Sequence, residues 1–225
     1  MKAFFGKKNY KTFKPLKSSS GNQQRLRDYT ASTLGSGNMR GAVVVPDGEH
    51  KFEWIAANTM DFFDHISLCY GLVSDQALEK FTKPSEGFPP GFEYRWADGV
   101  KVKAPIKCSS PEYVDYVMTW ANEKLNNPAI FPLDDVSAYP KKFEDEVKSI
   151  YKRLFRIFAI IYAVHSDTVK QLGAEAHLNT CFKHFMFFIL EFKLVNENEM
   201  KPIKLICERY IQQFNEGAAG LAKKG

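Results

Sequence analysis

Long apolar runs are missing from this chain of 225 residues. The longest, such as Ile157 to Val164, reaches eight residues, where a membrane helix needs roughly 20. No membrane span is expected. Cysteine is scarce, and the four present (Cys69, Cys108, Cys181 and Cys207) include no C-x-x-C pair. Neither a zinc ribbon nor a thioredoxin-type site is therefore signalled. Met1 to Asn9 is too short and too basic for a signal peptide. The expectation is a reduced, intracellular protein with buried free thiols. A P-loop, a protein-kinase signature and Gly-x-Ser-x-Gly are all absent. His177 and His184, seven apart, share a helix face but lack a nucleophile or carboxylate at legible spacing, so helix packing is their expected role. No catalytic constellation is present, and the chain is not expected to be an enzyme.

What is there is a well-provided core. Hydrophobic residues make up 44% and charged residues 25%, with 19 phenylalanines and 10 tyrosines. That composition belongs to an aromatic-rich globular domain rather than a disordered chain. The net charge of +5 is mild. It suits an anionic partner such as a phosphoprotein without demanding nucleic acid.

Residues 1–20 carry Lys2, Lys7, Lys8, Lys11, Lys14 and Lys17 among Ser and Gly and read as a flexible basic arm. The domain is expected over 21–215, and a flexible tail over 216–225. Helical patterning marks Asn22 to Leu34, stopped by Gly35-Ser-Gly. It also marks Glu49 to Tyr70, with a buried stripe of Ile55, Thr59, Phe62, Phe63 and Ile66. Glu49, Glu53, Asp61 and Asp64 fall on that helix's other side, with Trp54 at the edge. Leu72 to Gly91, with its late prolines and glycines, reads as one long loop. Phe92 to Lys103 alternates around Ala97-Asp98-Gly99 and predicts a β-hairpin. Ser109-Ser110-Pro111-Glu112 caps a helix reaching about Leu125. Asn127 to Pro140 is irregular, and helices follow over 141–172, 174–195 and 198–214. The class is mostly α with one small β-hairpin.

The stretch from Lys141 to Leu172 is the most informative. Phe143, Val147, Ile150, Tyr151, Leu154, Phe155, Phe158, Ile161 and Tyr162 keep the i, i+3, i+4, i+7 rhythm of one buried face. Lys148, Lys152, Arg153 and Arg156 fall opposite. A rigid helix with cations on its polar side can hold a phosphate, because arginine offers a planar fork and lysine a point charge. The same charges also suit an ordinary solvated face. Charge reversal at Arg156, on the polar side, is expected to leave the fold intact.

Several segments resemble the Mob family of kinase coactivators, which work with NDR/LATS kinases in Hippo and mitotic-exit signalling. In order, they are Lys11-Thr-Phe-Lys-Pro15, Thr33-Leu-Gly-Ser-Gly-Asn38, Glu53-Trp-Ile-Ala-Ala-Asn-Thr59 with Asp61-Phe-Phe63, and Tyr94-Arg-Trp-Ala-Asp-Gly99. Pro105-Ile-Lys-Cys108, Met118-Thr-Trp120, Lys152-Arg-Leu-Phe-Arg156 and the run from Ala176 to Phe185 complete the set. The likeness is greater to the Mob1 subgroup than to phocein-like members. It implies a fold built on a four-helix bundle and a noncatalytic adaptor role in cell division and morphogenesis, in the cytoplasm and also at the nucleus or spindle poles. It implies that Lys152, Arg153 and Arg156 form a phosphothreonine pocket for Ste20-like kinases or scaffolds. Glu49, Glu53, Trp54 and Asp61 match the surface that grips the basic N-terminal extension of an NDR/LATS kinase. An acidic stripe with an aromatic rim suits such a partner. Thr12 and Thr33 match threonines that upstream kinases phosphorylate, although Thr33 could also serve its own turn.

One departure from the family is large. The resemblance implies a structural zinc held by two cysteines and two histidines. Here those positions hold Ala77, Thr82, Ile160 and His165. One histidine cannot hold zinc, so no cofactor is expected, and Leu78 and Phe81 are expected to close the loop by apolar contact. Were zinc present, the donors left to consider are Cys69, Cys108, His177 and His184. The alternative function is an anionic-surface binder of nucleic acid or acidic lipid on the same scaffold.

Overall fold

The computed structural model describes residues 21–133 and 138–222, the last five as backbone only. The basic arm and Thr12 lie outside the described residues. The helices are α1 (Gly21–Gly35), α2 (Lys51–Gly71), α3 (Ser74–Lys80), α4 (Ser110–Leu125), α5 (Phe143–Val164), α6 (Ser166–Gln171), α7 (Glu175–Glu191), α8 (Glu197–Met200) and α9 (Lys204–Ala222). None is long and apolar enough to cross a membrane among the described residues.

α5 is the central element, and its sequence explains why. Glu144, Asp145 and Glu146 fill its first turn, where carboxylates meet the positive end of the helix dipole. Its apolar stripe is fully buried, from Phe143 to Ile161. α2, α4, α5 and α7 form the bundle, with α2 packed on the other three. Aromatic rings join the layers: Tyr151 stacks on Phe185 and Phe188, and Phe62 meets Tyr151, Phe185 and Phe188 edge-on. α4 begins with the capping box read from the sequence, Ser109 and Glu112 satisfying each other's backbone.

Three local expectations are corrected. The loop read over 72–91 contains α3. Ser74-Asp-Gln-Ala-Leu-Glu-Lys80 holds good helix formers, an acid in the first turn and a lysine in the last. The breakers begin only at Pro84. Beyond it the chain is stitched to the start of α4, Ser85 N–H donating to the Cys108 carbonyl and Ser110 N–H to that of Glu86, both at 2.9 Å. Gly87 sits at φ +79°, and a Cβ there would meet Ser110 Oγ at 2.2 Å.

The β-hairpin reduces to one antiparallel bridge, Trp96 with Ile106. Asp98 explains the loop between them, since its carboxylate accepts the N–H groups of Val100 (2.8 Å) and Val102 (2.7 Å). The Asp98 N–H, which the next rung would use, turns to the Val102 carbonyl at 3.1 Å instead, and the Tyr94 carbonyl receives the Cys108 thiol rather than a backbone N–H. The long helix expected over 141–172 breaks at His165 (φ −121°, ψ 11°), which separates α5 from α6.

Candidate functional site

The basic residues of α5 do not meet at one point. Arg156 Nε and Nη2 donate to the two carboxylate oxygens of Glu199 at 2.8 and 3.0 Å, and Nη1 donates to Tyr113 Oη at 3.2 Å. Its guanidinium also lies over the Tyr94 ring. Lys152 Nζ reaches the same carboxylate at 3.3 Å while its side chain stays 45% exposed. Asn196 caps α8 and so places Glu199. Burial alone would raise the Glu199 carboxyl, but Arg156 and Lys152 outweigh it and hold the group below its usual range. Burial likewise opposes the charge on Arg156, and Tyr113 and Glu199 more than restore it.

Arg153 turns the other way. Its Nη2 donates to the Ala97 carbonyl at 2.7 Å, and its guanidinium stands over Trp120 (4.0 Å) and Trp96 (4.9 Å). Lys148 is exposed. Thus Lys152 and Arg156 converge on an anion that is a carboxylate of the chain itself, and Arg153 braces the loop after Trp96. Arg156 has only 19% of its side chain exposed. Reversing its charge would face two carboxylates across a half-buried contact, so the expectation that such a change spares the fold is corrected.

The acidic side of α2 is covered rather than solvated. α1 lies along it. Arg25 pairs with Glu49 at 2.6 Å, Arg27 with Asp61 and with Asp64 (3.4 Å), and Asn22 donates to Glu53. Trp54, read as an edge residue, is fully buried, its indole N–H donating to the Val43 carbonyl at 3.2 Å and its ring edge-on to Tyr29. Glu53 is buried too. The period of α2 alone could not reveal this, because the covering element is another helix. Burial raises the Asp61 carboxyl to about 6 despite Arg27. Thr33 lies in the last turn of α1, its hydroxyl donating to the Tyr29 carbonyl at 2.9 Å.

At the positions where the family resemblance implies zinc, the donors do not fit. Ala77 and Ile160 are fully buried and have no lone pair, and Thr82 is exposed. His165 is buried, its Nδ1 3.4 Å from Gln76 Oε1 and its ring edge-on to Phe81. Burial, with Lys80 nearby, lowers its imidazole to about 4. Leu78 and Phe81 pack against the core, and the Phe81 ring meets His165 at the end of α5. His177 and His184, placed on one face by spacing, part company. His177 is exposed, whereas His184 is buried 4.6 Å from the Phe62 ring centre, and burial lowers it to about 3. Of the donors left to consider, Cys69 and His177 come together, and they do so with Cys181, which the sequence reading omitted. The signal available was the i, i+4 spacing of His177 and Cys181.

The family model described as Mob1/phocein matches residues 31–203. The chain is 48% identical over 205 residues to MOB kinase activator-like 1 homolog B of Dictyostelium discoideum, covering 90% of this chain and 94% of that protein. It is 43% identical over 209 residues to MOB kinase activator-like 1A of Arabidopsis thaliana, covering 92% and 97%. A helical bundle centred on α5, the ordered motifs from Thr33 to Phe185 and these matches lead to one assignment: the chain belongs to the Mob1/phocein family.

Proposed function

We propose that this protein is a noncatalytic coactivator of NDR/LATS-type kinases that also docks phosphothreonine segments of Ste20-like kinases or scaffolds. The observation that carries the reading is the cradle of Lys152 and Arg156 around the Glu199 carboxylate. The cradle already binds an anionic oxygen pair through a planar fork, the contact a phosphate would make. A phosphothreonine brings more charge than a carboxylate and would compete with Glu199 for the same cations. Arg153, held by the Ala97 carbonyl, Trp96 and Trp120, is turned away from Glu199 and would have to leave those partners to reach the same phosphate.

The kinase-facing half of the reading rests on α2. Glu49, Asp61 and Asp64 already bind the arginines of a helix, so the surface has the chemistry for a basic helical segment. A kinase extension would take the place of α1 or of part of it. Action in the cytoplasm, and at the nucleus or spindle poles during division, belongs to the same proposal. Calorimetry with a phosphothreonine peptide and its unphosphorylated twin, on the wild type and on Lys152→Ala, tests it. Selective binding of the phosphopeptide that Lys152→Ala weakens supports the cradle. Equal binding of both peptides, with steep loss in salt, favours a nonspecific anionic-surface binder instead.

A further inference from the structure

Cys69 on α2 faces His177 and Cys181 on α7, and the three donor atoms lie within 4.8 Å of one another. Cys181 Sγ and His177 Nε2 are 3.7 Å apart, one helical turn from each other. The Cys69 and Cys181 sulfurs face each other across the helix pair within the same 4.8 Å. A tetrahedral zinc, with bonds of about 2.3 Å to sulfur and 2.0–2.1 Å to nitrogen, sets such donors about 3.5–3.8 Å apart. The group therefore needs only a small inward movement of side chains to close around a cation. Its burial is graded: Cys69 is buried, Cys181 is intermediate and His177 is exposed. A cation could enter from solvent past the imidazole and bind the two sulfurs beneath.

We propose that Cys69, His177 and Cys181 form a zinc site that ties α2 to α7. Two sulfurs and an imidazole form a soft donor set, which selects zinc over magnesium or calcium. Binding converts both thiols to thiolates and releases two protons, while His177 binds as neutral imidazole. The fourth position is left to water. The site shares no residue with Ala77, Thr82, Ile160 and His165, and it does not depend on the kinase reading.

The test uses the full untagged chain, kept reduced with a phosphine. Zinc is titrated in competition with a chromogenic chelator, and cobalt is used as a spectroscopic stand-in. One equivalent of zinc, a thiolate-to-cobalt charge-transfer band and a rise in melting temperature are expected. Cys69→Ser and Cys181→Ser should each weaken uptake at least about 100-fold, since loss of a ligand exceeds the roughly 10–100-fold that outer-shell changes cost. His177→Ala alters an exposed side chain, so it reports even if a cysteine variant folds poorly, and it too should weaken uptake. His165→Ala should not. Substoichiometric uptake by the wild type, full affinity in His177→Ala, or loss of uptake in His165→Ala would each overturn the assignment.

Discussion

Arg156 holds Glu199 through the Nε–Nη2 edge of its guanidinium, at 2.8 and 3.0 Å, so the anion cradle on α5 is filled by the chain itself. Glu199 is thus both a brace for Arg156 and a competitor for any phosphate. Glu199→Gln keeps the shape and removes the charge. It should strengthen phosphothreonine-peptide binding several-fold in calorimetry while costing about 1–3 kcal/mol of stability, as expected for weakening a charged hydrogen bond. Arg156→Glu should lower the melting temperature far more, because it sets like charges together beside buried Tyr113. Unchanged or weaker peptide binding by Glu199→Gln would show that the phosphate does not use this cradle.

The contact of α1 with α2 carries its own pH dependence. The folded-state Asp61 carboxyl titrates at about 6, above its ordinary 3.8. The native state therefore binds the proton more tightly than the unfolded chain. The stability from this group is fully present below about 4 and is lost as pH rises through about 6. Denaturant unfolding of wild type and Asp61→Asn across that window should show the wild type losing stability relative to the variant. A constant difference between the two would mean that Arg27 neutralises the cost of burying the carboxylate.

Thr33 offers a way to loosen the same helix. Its hydroxyl donates to the Tyr29 carbonyl in the last turn of α1, a turn with no basic side chain. Phosphorylation removes that donor and adds negative charge at the negative end of the helix dipole. A penalty of about 1 kcal/mol is expected. Hydrogen exchange should then quicken across 21–35 while α5 stays protected. Unaltered exchange in α1 after stoichiometric phosphorylation of Thr33 would remove this residue as a control point.

The parts legible in the sequence are those where one period decides. The α5 stripe from Phe143 to Ile161 announces its buried face directly, and Ser109 with Glu112 announces the start of α4. Two kinds of feature were not legible. The acidic side of α2 reads as solvated because helical period reports one buried face, and its second face is buried by α1, a tertiary event. α3 was hidden because a loop reading weighs the prolines and glycines from Pro84 onward over the five good helix formers from Gln76 to Lys80. The site suffered similarly. Spacing places Lys152, Arg153 and Arg156 on one side of α5, but side-chain direction follows the partners, Glu199 for two and Ala97 with the tryptophans for the third. Cys69 joins His177 and Cys181 only through the pairing of α2 with α7.

The joint of α3 with α5 provides the remaining prediction. Ala77 and Ile160 are buried and offer no lone pair, Phe81 meets the His165 ring edge-on, and the imidazole is kept neutral down to about 4. Its unfolded counterpart titrates near 6.5. The unfolded chain therefore binds the proton first as pH falls. The stability His165 contributes is fully present above about 6.5 and is lost toward about 4. His165→Leu should blunt this acid sensitivity, since Thr168 Oγ1 still donates to Gln76 Oε1 at 2.6 Å and leaves that amide oxygen a partner. In a Cys69→Ser/Cys181→Ser background, which removes the sulfur donors at α2 and α7, a strong chelator should leave the melting temperature unchanged. A chelator-induced fall in that background, abolished by His165→Leu, would place a metal at the joint after all, with donors drawn from beyond Ala77 and Ile160.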